Sequence, residues 1–177
     1  MTTQARRSPR RKKPPPIAVV PFGAEDTDAW VSLRRGLFPQ DSAAAHRREI
    51  AALLASEREA GFGAVSGNSR WLGLIELRER DYAEGCLSSP VPYIEALWVA
   101  PKARRNGVAR LLVEEAIAWA RERGHSELAS DTGLGNLASQ VAHRRLGFQE
   151  TERLVCFRMD LAKRRRTGRK KAAAPRP

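Results

Sequence analysis

Cysteine is scarce: only Cys86 and Cys156 occur in 177 residues. They form no CxxC pair, so the chain can build neither a disulfide framework nor a zinc ribbon. A reducing, cytoplasmic setting is therefore expected. The three histidines, His46, His125 and His143, are too widely spaced for a ligand set, and no metal is expected. No apolar run approaches the roughly 18 residues needed to cross a bilayer. The basic N-terminus leads into Pro14-Pro15-Pro16 instead of an apolar stretch, so it does not read as a secretory signal. Acid is absent from both ends. Of the 32 Lys and Arg residues, 14 lie in 1–16 and 163–177, and all 20 Asp and Glu lie between them. The formal charge of +12 thus belongs to the tails, and the body of the chain is slightly acidic.

What remains is an ordinary globular composition, 42% hydrophobic and 29% charged. It divides into a basic, proline-rich tail over 1–16, one domain over 17–162 and a second basic tail over 163–177. Both tails read as disordered. In the domain, Ile17–Val20 predicts a first strand. A helix capped at Thr27 buries Trp30, Val31, Leu33 and Leu37 and stops at Pro39. A second helix starts after Asp41 or Ser42, buries Ile50, Leu53 and Leu54, and ends near Gly61. Its His46, beside Arg47, Arg48 and Glu49, reads as solvated. Strands follow at 62–65, 71–80 and 93–99. An amphipathic helix then carries Val108, Leu111, Leu112, Ala116 and Trp119 on one stripe, with Gly124 beyond its end. A short strand near 127–130, a helix over 136–146 closed by Gly147, and a last strand around 151–159 complete the order. Cys156 reads as core of that last strand. The fold class is α+β, a mixed sheet flanked by helices in a single domain.

The stretch Pro101-Lys102-Ala103-Arg104-Arg105-Asn106-Gly107-Val108-Ala109-Arg110 lies between a buried strand and a helix. A helix N-terminus there aims unpaired N–H groups and a positive dipole end at one point, which suits a phosphate. Gly107 and Ala109 keep the approach open, and Arg104, Arg105 and Arg110 add charge. This is neither a Walker loop nor GxGxxG. Read from the residues alone, a basic loop that merely caps a helix is the alternative.

Arg104-Arg105-Asn106-Gly107-Val108-Ala109 resembles the Arg/Gln-x-x-Gly-x-Gly/Ala signature of the GCN5-related N-acetyltransferases. Asn136, followed by a helix and Gly147-Phe148, resembles the same superfamily's second signature. The resemblance implies the acyl-CoA N-acyltransferase fold and acetyl-CoA as co-substrate. Arg104, Arg105, Asn106, Gly107, Val108 and Ala109 would hold its pyrophosphate, Leu97, Trp98 and Val99 its chain through strand backbone, and Asn136 its pantetheine end. A narrower resemblance spans about residues 28–160. Asp81-Tyr82, Ser88-Ser89-Pro90-Val91, Glu95, Ala129-Ser130-Asp131-Thr132 and Leu146–Arg153 are similar to aminoglycoside 6′-N-acetyltransferases. It implies acetyl transfer to the 6′-amine of these polycationic antibiotics, hence drug resistance, by an enzyme that is often a homodimer. Tyr82, Glu95, Asp131 and Glu152 fall at aminoglycoside-binding positions. Phe38 stands where the family often has Trp and Asp41 where it can carry His, and both would lie in the substrate pocket.

A polycation needs carboxylates held by the scaffold, and a primary amine must lose a proton before it attacks a thioester. Glu95, inside an otherwise apolar strand, is the first candidate to drive that loss, through water, with Asp131 its rival. His143, where the superfamily commonly places Tyr, is the candidate to protonate the departing sulfur. A backbone N–H near Val99 would polarise the thioester oxygen. Each residue also has a plainer reading: Glu95 as an outward strand residue, Asp131-Thr132 as a turn cap, Glu152 as a surface pair with Arg153, and His143 as a half-exposed helix residue. Two other functions stay open. One is acetyl transfer to another amine, such as a polyamine, a small metabolite or a protein N-terminus. The other is nucleic-acid or ribosome association through the tails. No membrane partner is expected.

Overall fold

The computed structural model describes residues 16–161; both basic tails, apart from Pro16, lie outside the described residues. Four antiparallel strands run in chain order across the sheet: β1 (Ile17–Pro21), β2 (Glu59–Ser66), β3 (Trp71–Arg80) and β4 (Val91–Val99). A fifth, β5 (Ala129–Ser130), pairs parallel to β4 only at Tyr93↔Ala129 and Ile94↔Ser130. Past Ile94, β4 therefore keeps a ladder with β3 but has no strand on its other side among the described residues. That open edge carries Leu97, Trp98 and Val99 into a cleft.

Helices cover both faces. On one side, α3 (Val108–Glu122) buries Val108, Leu112, Val113, Ala116 and Trp119 against Phe62, Ile75, Leu77 and Ile94. On the other, α1 (Thr27–Leu37) and α2 (Ala43–Leu54) enclose Phe22, Trp30, Val31, Leu33 and Ile50 over Leu74 and Ala96. Leu74 and Ile75, adjacent in β3, go to opposite cores, as the strand period of two requires. The last helix is α4 (Leu137–Leu146), capped by the Asn136 side chain and closed by Gly147 at φ 99°.

The ladder between β3 and β4 breaks at one point. Glu76 pairs with Ala96 and Leu77 with Ile94, so Glu95 is an extra residue with no partner opposite. This β-bulge re-aims the Glu95 side chain away from the core. An acid inside an apolar strand is thereby spared burial.

Several expectations need correction. Gly61 does not end the second helix. It lies inside β2, where a Cβ would come within 2.4 Å of the Trp30 ring, so the aromatic packing demands a glycine. Asp26 is the cap position of α1, and Thr27 is its first residue. His46 is not solvated: it is 0% exposed, one turn from buried Ile50 on the same side of α2. No strand forms over 151–159. Only two residues of β5 stand at that edge of the sheet, too few to template another strand, and Cys156 is exposed instead of core. The apolar side chains Leu154, Val155 and Phe157 face solvent with it.

Candidate active site

Two cavities flank the chain just after β5. The larger, about 780 Å³, runs from the first turn of α3 along the open edge of β4 to Phe38 and α4. The smaller, about 430 Å³, lies between the ends of β3 and β4 and the segment after α4. Ser130, Asp131, Thr132 and His143 line both. These four residues form the wall where the two meet.

The larger cavity is built by local rules. Pro101 ends β4, and Pro101–Ala103 makes one 3₁₀ turn that buries Ala103 beneath the cleft. Gly107 then takes φ 81°, left-handed backbone that L residues adopt at a cost, and so starts α3 abruptly. A Cβ there would meet no protein atom within 4 Å, so the space above this turn is open. The helix begins with N–H groups facing the cavity and no acid in its first turn. Arg104 Nε donates to the Val99 carbonyl at 3.1 Å, tying the cradle to the end of the strand. Arg110 instead pairs along the helix with Glu114 at 2.8 Å. Arg104, Arg105, Gly107, Val108 and Ala109 all line this cavity with Leu97, Trp98 and Val99. Asn136 lines it too, while its Oδ1 accepts from the Ser139 N–H at 3.1 Å. The cradle can hold a diphosphate at one end and an extended chain along β4.

On the shared wall, His143 is fixed from both sides. Its Nδ1 donates to the Ser139 carbonyl at 2.8 Å, and its Nε2 lies 3.0 Å from Ser130 Oγ. A carbonyl only accepts, so the neutral ring carries its proton on Nδ1 and Nε2 accepts from the serine hydroxyl. Phe148 meets the ring edge-on at 5.4 Å between centroids.

The acidic corner is held by cross-strand contacts. Arg80, the last residue of β3, donates through Nε and a terminal nitrogen to the two Glu95 oxygens, at 2.8 and 2.6 Å. Its guanidinium carbon sits 3.5 Å over the Tyr93 ring. The Tyr93 phenol is raised by burial and then by its hydrogen bond to Asp131. Phe38 and Glu95 reach the larger cavity, and Glu152 the smaller. Asp41 and Tyr82 are exposed and line neither cavity, and Asn106 is exposed beside the cradle. Arg153 pairs with Glu150, not with Glu152. Arg153 and Arg144 together draw the Glu150 carboxyl down to about 2.

Three residues that hold these groups in place went unread in the sequence: Arg80, Tyr93 and Ser130. Ser130 lay within a motif string with no role attached, and Tyr93 looked like an ordinary strand aromatic. Arg80 stood as one of several charges at the end of a strand. No helix among the described residues is long and apolar enough to cross a membrane. Nor do three or more His, Cys, Asp or Glu converge there as metal ligands would.

Comparison with known proteins converges on one kind of molecule. A family model described as acetyltransferase (GNAT) family matches residues 27–148. Aminoglycoside N(6′)-acetyltransferase type 1 of Serratia marcescens is 43% identical over 138 residues, covering 77% of this chain and 94% of that protein. The protein of the same name from Klebsiella aerogenes is 42% identical over 146 residues, 81% of this chain and 96% of its own length. Among solved structures, AAC(6′)-Iy in complex with the bisubstrate analogue CoA-S-monomethyl-acetylneamine superposes with a TM-score of 0.78 at 32% identity. That match covers 81% of this chain and 98% of the other.

Proposed function

The chain belongs to the acetyltransferase (GNAT) family, the premise from which we propose that it is an aminoglycoside 6′-N-acetyltransferase. Acetyl-CoA supplies an activated acetyl group, the 6′-amine takes it, and coenzyme A leaves as the thiol. One observation carries the reading: a phosphate cradle and an anchored acidic corner open onto the same wall, either side of the point where β4 loses its neighbour. A cofactor with a diphosphate and an acceptor with several ammonium groups are the two ligands that such a pair of surfaces suits.

The cradle fits the co-substrate on this chain's own features, namely the left-handed Gly107, the open space above it and the exposed edge of β4. Arg104, Arg105, Asn106, Gly107, Val108 and Ala109 would hold the diphosphate. Leu97, Trp98 and Val99 would pair with the pantetheine arm, and Asn136 would meet its far end. Glu95, Asp131 and Glu152, with Phe38, Asp41 and Tyr82 at the outer rim, bind the aminoglycoside. We give Glu95 and Asp131 this binding role before a proton-accepting one, because a scaffold carboxylate binds an ammonium through charge-assisted hydrogen bonds. His143 is better placed for the proton. Its lone pair on Nε2 receives the amine proton through Ser130, and the resulting imidazolium returns it to the departing sulfur. The net result moves one proton from the amine to coenzyme A.

The exposed apolar run Leu154, Val155, Phe157, Met159 and Leu161 supports a homodimer. A second copy would cover what this chain leaves open beside β5. Two unpaired cysteines fit a cytoplasmic setting.

The test is steady-state thiol release from acetyl-CoA with kanamycin, tobramycin and spermidine, with the acetylated nitrogen located by NMR. Turnover at the 6′-amine of kanamycin or tobramycin is expected, and His143→Gln should lose about 10²-fold in kcat. Turnover confined to spermidine would move the enzyme to another amine. Full kcat in H143Q across the pH range would rule out the relay.

A further inference from the structure

We propose that Arg80 is a resident counter-cation of the acceptor corner, which an ammonium group of the substrate must displace from Glu95 before transfer. The inference rests on the reading of Glu95 and Asp131 as ammonium ligands, and adds to it a competing ligand supplied by the chain itself.

Three observations lead there. The first is reach. In the ladder Arg80 stands opposite Val91, not opposite Glu95. Its side chain runs along β4, across the Tyr93 ring at 3.5 Å, to form a two-pronged pair with Glu95. The tyrosine is the bed on which the arginine lies. The second is access. The Arg80 and Glu95 side chains are 37% and 29% exposed, so water and ligands reach the pair and exchange is open to it. The third is charge. The guanidinium pairs with Glu95 alone, and Asp131 adds a weaker attraction from further off. Glu95, Asp131 and Arg80 sum to a single negative charge, on a cavity that Glu84, Glu152 and the Glu150 cluster with Arg144 and Arg153 also line. Without Arg80 the two carboxylates stand uncompensated by it.

Two opposed consequences follow for a polycationic substrate. Arg80 occupies the fork of acceptor oxygens that an ammonium would use, and its charge repels the newcomer, so affinity is held down. Once displaced, the guanidinium stays on a cavity that it lines. A cation beside an amine favours the amine's neutral, nucleophilic form. Arg80 thus sets weaker binding against easier deprotonation. A residue that merely shored up the strand end would do neither.

The experiment compares wild type, Arg80→Met and Arg80→Lys as full-length proteins loaded with coenzyme A. Kanamycin binding is measured by calorimetry, and kcat and KM are measured across pH with acetyl-CoA. R80M should bind kanamycin about five- to tenfold more tightly, the effect of one unit charge near a partly exposed pair. Its KM should fall with the binding constant, while its kcat should reach a plateau only at higher pH. R80K, which keeps the charge, should stay near wild type in the pH profile. In a Glu95→Gln background, R80M should change kanamycin affinity less than twofold, because the fork is gone. Equal or weaker binding by R80M would overturn the proposal, as would an unshifted kcat profile. Wild type that neither binds nor acetylates kanamycin but uses spermidine would end the aminoglycoside reading alone. The same R80M comparison with spermidine then judges the counter-cation. If no polycation binds either protein, both readings fail.

Discussion

Two guanidiniums in this fold lie among carboxylates beside aromatic rings, yet they stand in opposite relation to water. Arg34 on α1 pairs with Glu49 of α2 and lies 3.6 Å from Glu76 of β3, whose carboxylate also accepts from Trp30 Nε1 at 2.6 Å. Arg34 and Glu76 are 7% and 4% exposed. Arg80, Glu95, Tyr93 and Asp131 repeat the composition at the mouth of a cavity, half open to solvent. The chemistry of the parts is the same. Burial makes the first a permanent joint between α1 and the sheet, because no ligand reaches Arg34 or Glu76. Access leaves the second open to exchange, which the counter-cation proposal requires.

Removing one acid from each cluster separates the roles most sharply. Glu76→Ala leaves Arg34 buried with only the half-exposed Glu49 to offset it, and should cost about 3 kcal/mol of folding stability. Glu95→Ala takes one partner from a pair that water already screens, and should cost under about 1 kcal/mol. Activity should invert the order. E95A loses most of its kcat/KM for kanamycin, while E76A, below its lowered melting point, keeps its KM. Urea unfolding and steady-state kinetics on both variants check the contrast. Equal stability losses would erase the distinction between joint and exchange site.

A smaller, pH-dependent effect sharpens the same contrast. Burial raises the Glu76 carboxyl above the ordinary glutamate range, against the pull of Arg34 and Trp30 in the other direction. The unfolded chain gives up this proton near the usual value of about 4.3, and the folded chain holds it to higher pH. In that window the native state binds more protons, so Glu76 makes stability fall as pH rises, by at most about 1.4 kcal/mol per pH unit. Glu150, drawn down to about 2, pushes the other way at lower pH. The difference between wild type and Glu76→Gln isolates the first slope. Parallel curves of stability against pH for the two proteins would show that Glu76 does not hold its proton.

What could be read in the sequence follows from how far apart the cooperating residues lie. The cradle was legible because strand, Pro101, Gly107 and the stripe of α3 are contiguous, and each step is decided by local backbone rules. The Asn136 cap and Gly147 stop of α4 were legible for the same reason. Glu95 was found as an acid in an apolar strand, but its bulge was not. A bulge is a property of the register between β3 and β4, and nothing in β4 alone announces it. Arg80 and Tyr93 escaped with it, since their geometry is cross-strand. The strand expected over 151–159 rested on the apolar run Leu154-Val155-Cys156-Phe157. What it lacked was a neighbour longer than the two residues of β5 at that end of the sheet, which no local pattern records.

His46 was misread for a different reason, and correcting it gives the smallest of the expected effects. Its chain neighbours Arg47, Arg48 and Glu49 suggested a charged surface, but neighbours in sequence point around a helix, not along it. The residue that shares its side is Ile50, one turn on and buried. The imidazole is sealed, and neither ring nitrogen has a hydrogen-bond partner among the described residues. Unlike Glu76, which Trp30 and Arg34 satisfy, it is a buried polar group without recompense, and such a group costs on the order of 1 kcal/mol or more. His46→Leu keeps the volume near enough to fill the site and removes both orphaned nitrogens. It should therefore stabilise the fold by about 1 kcal/mol, read as a higher urea midpoint at unchanged slope, with acetylation kinetics as in wild type. A loss of stability in H46L would mean that the ring does have a partner, and that the joint around Arg34 extends one turn further along α2.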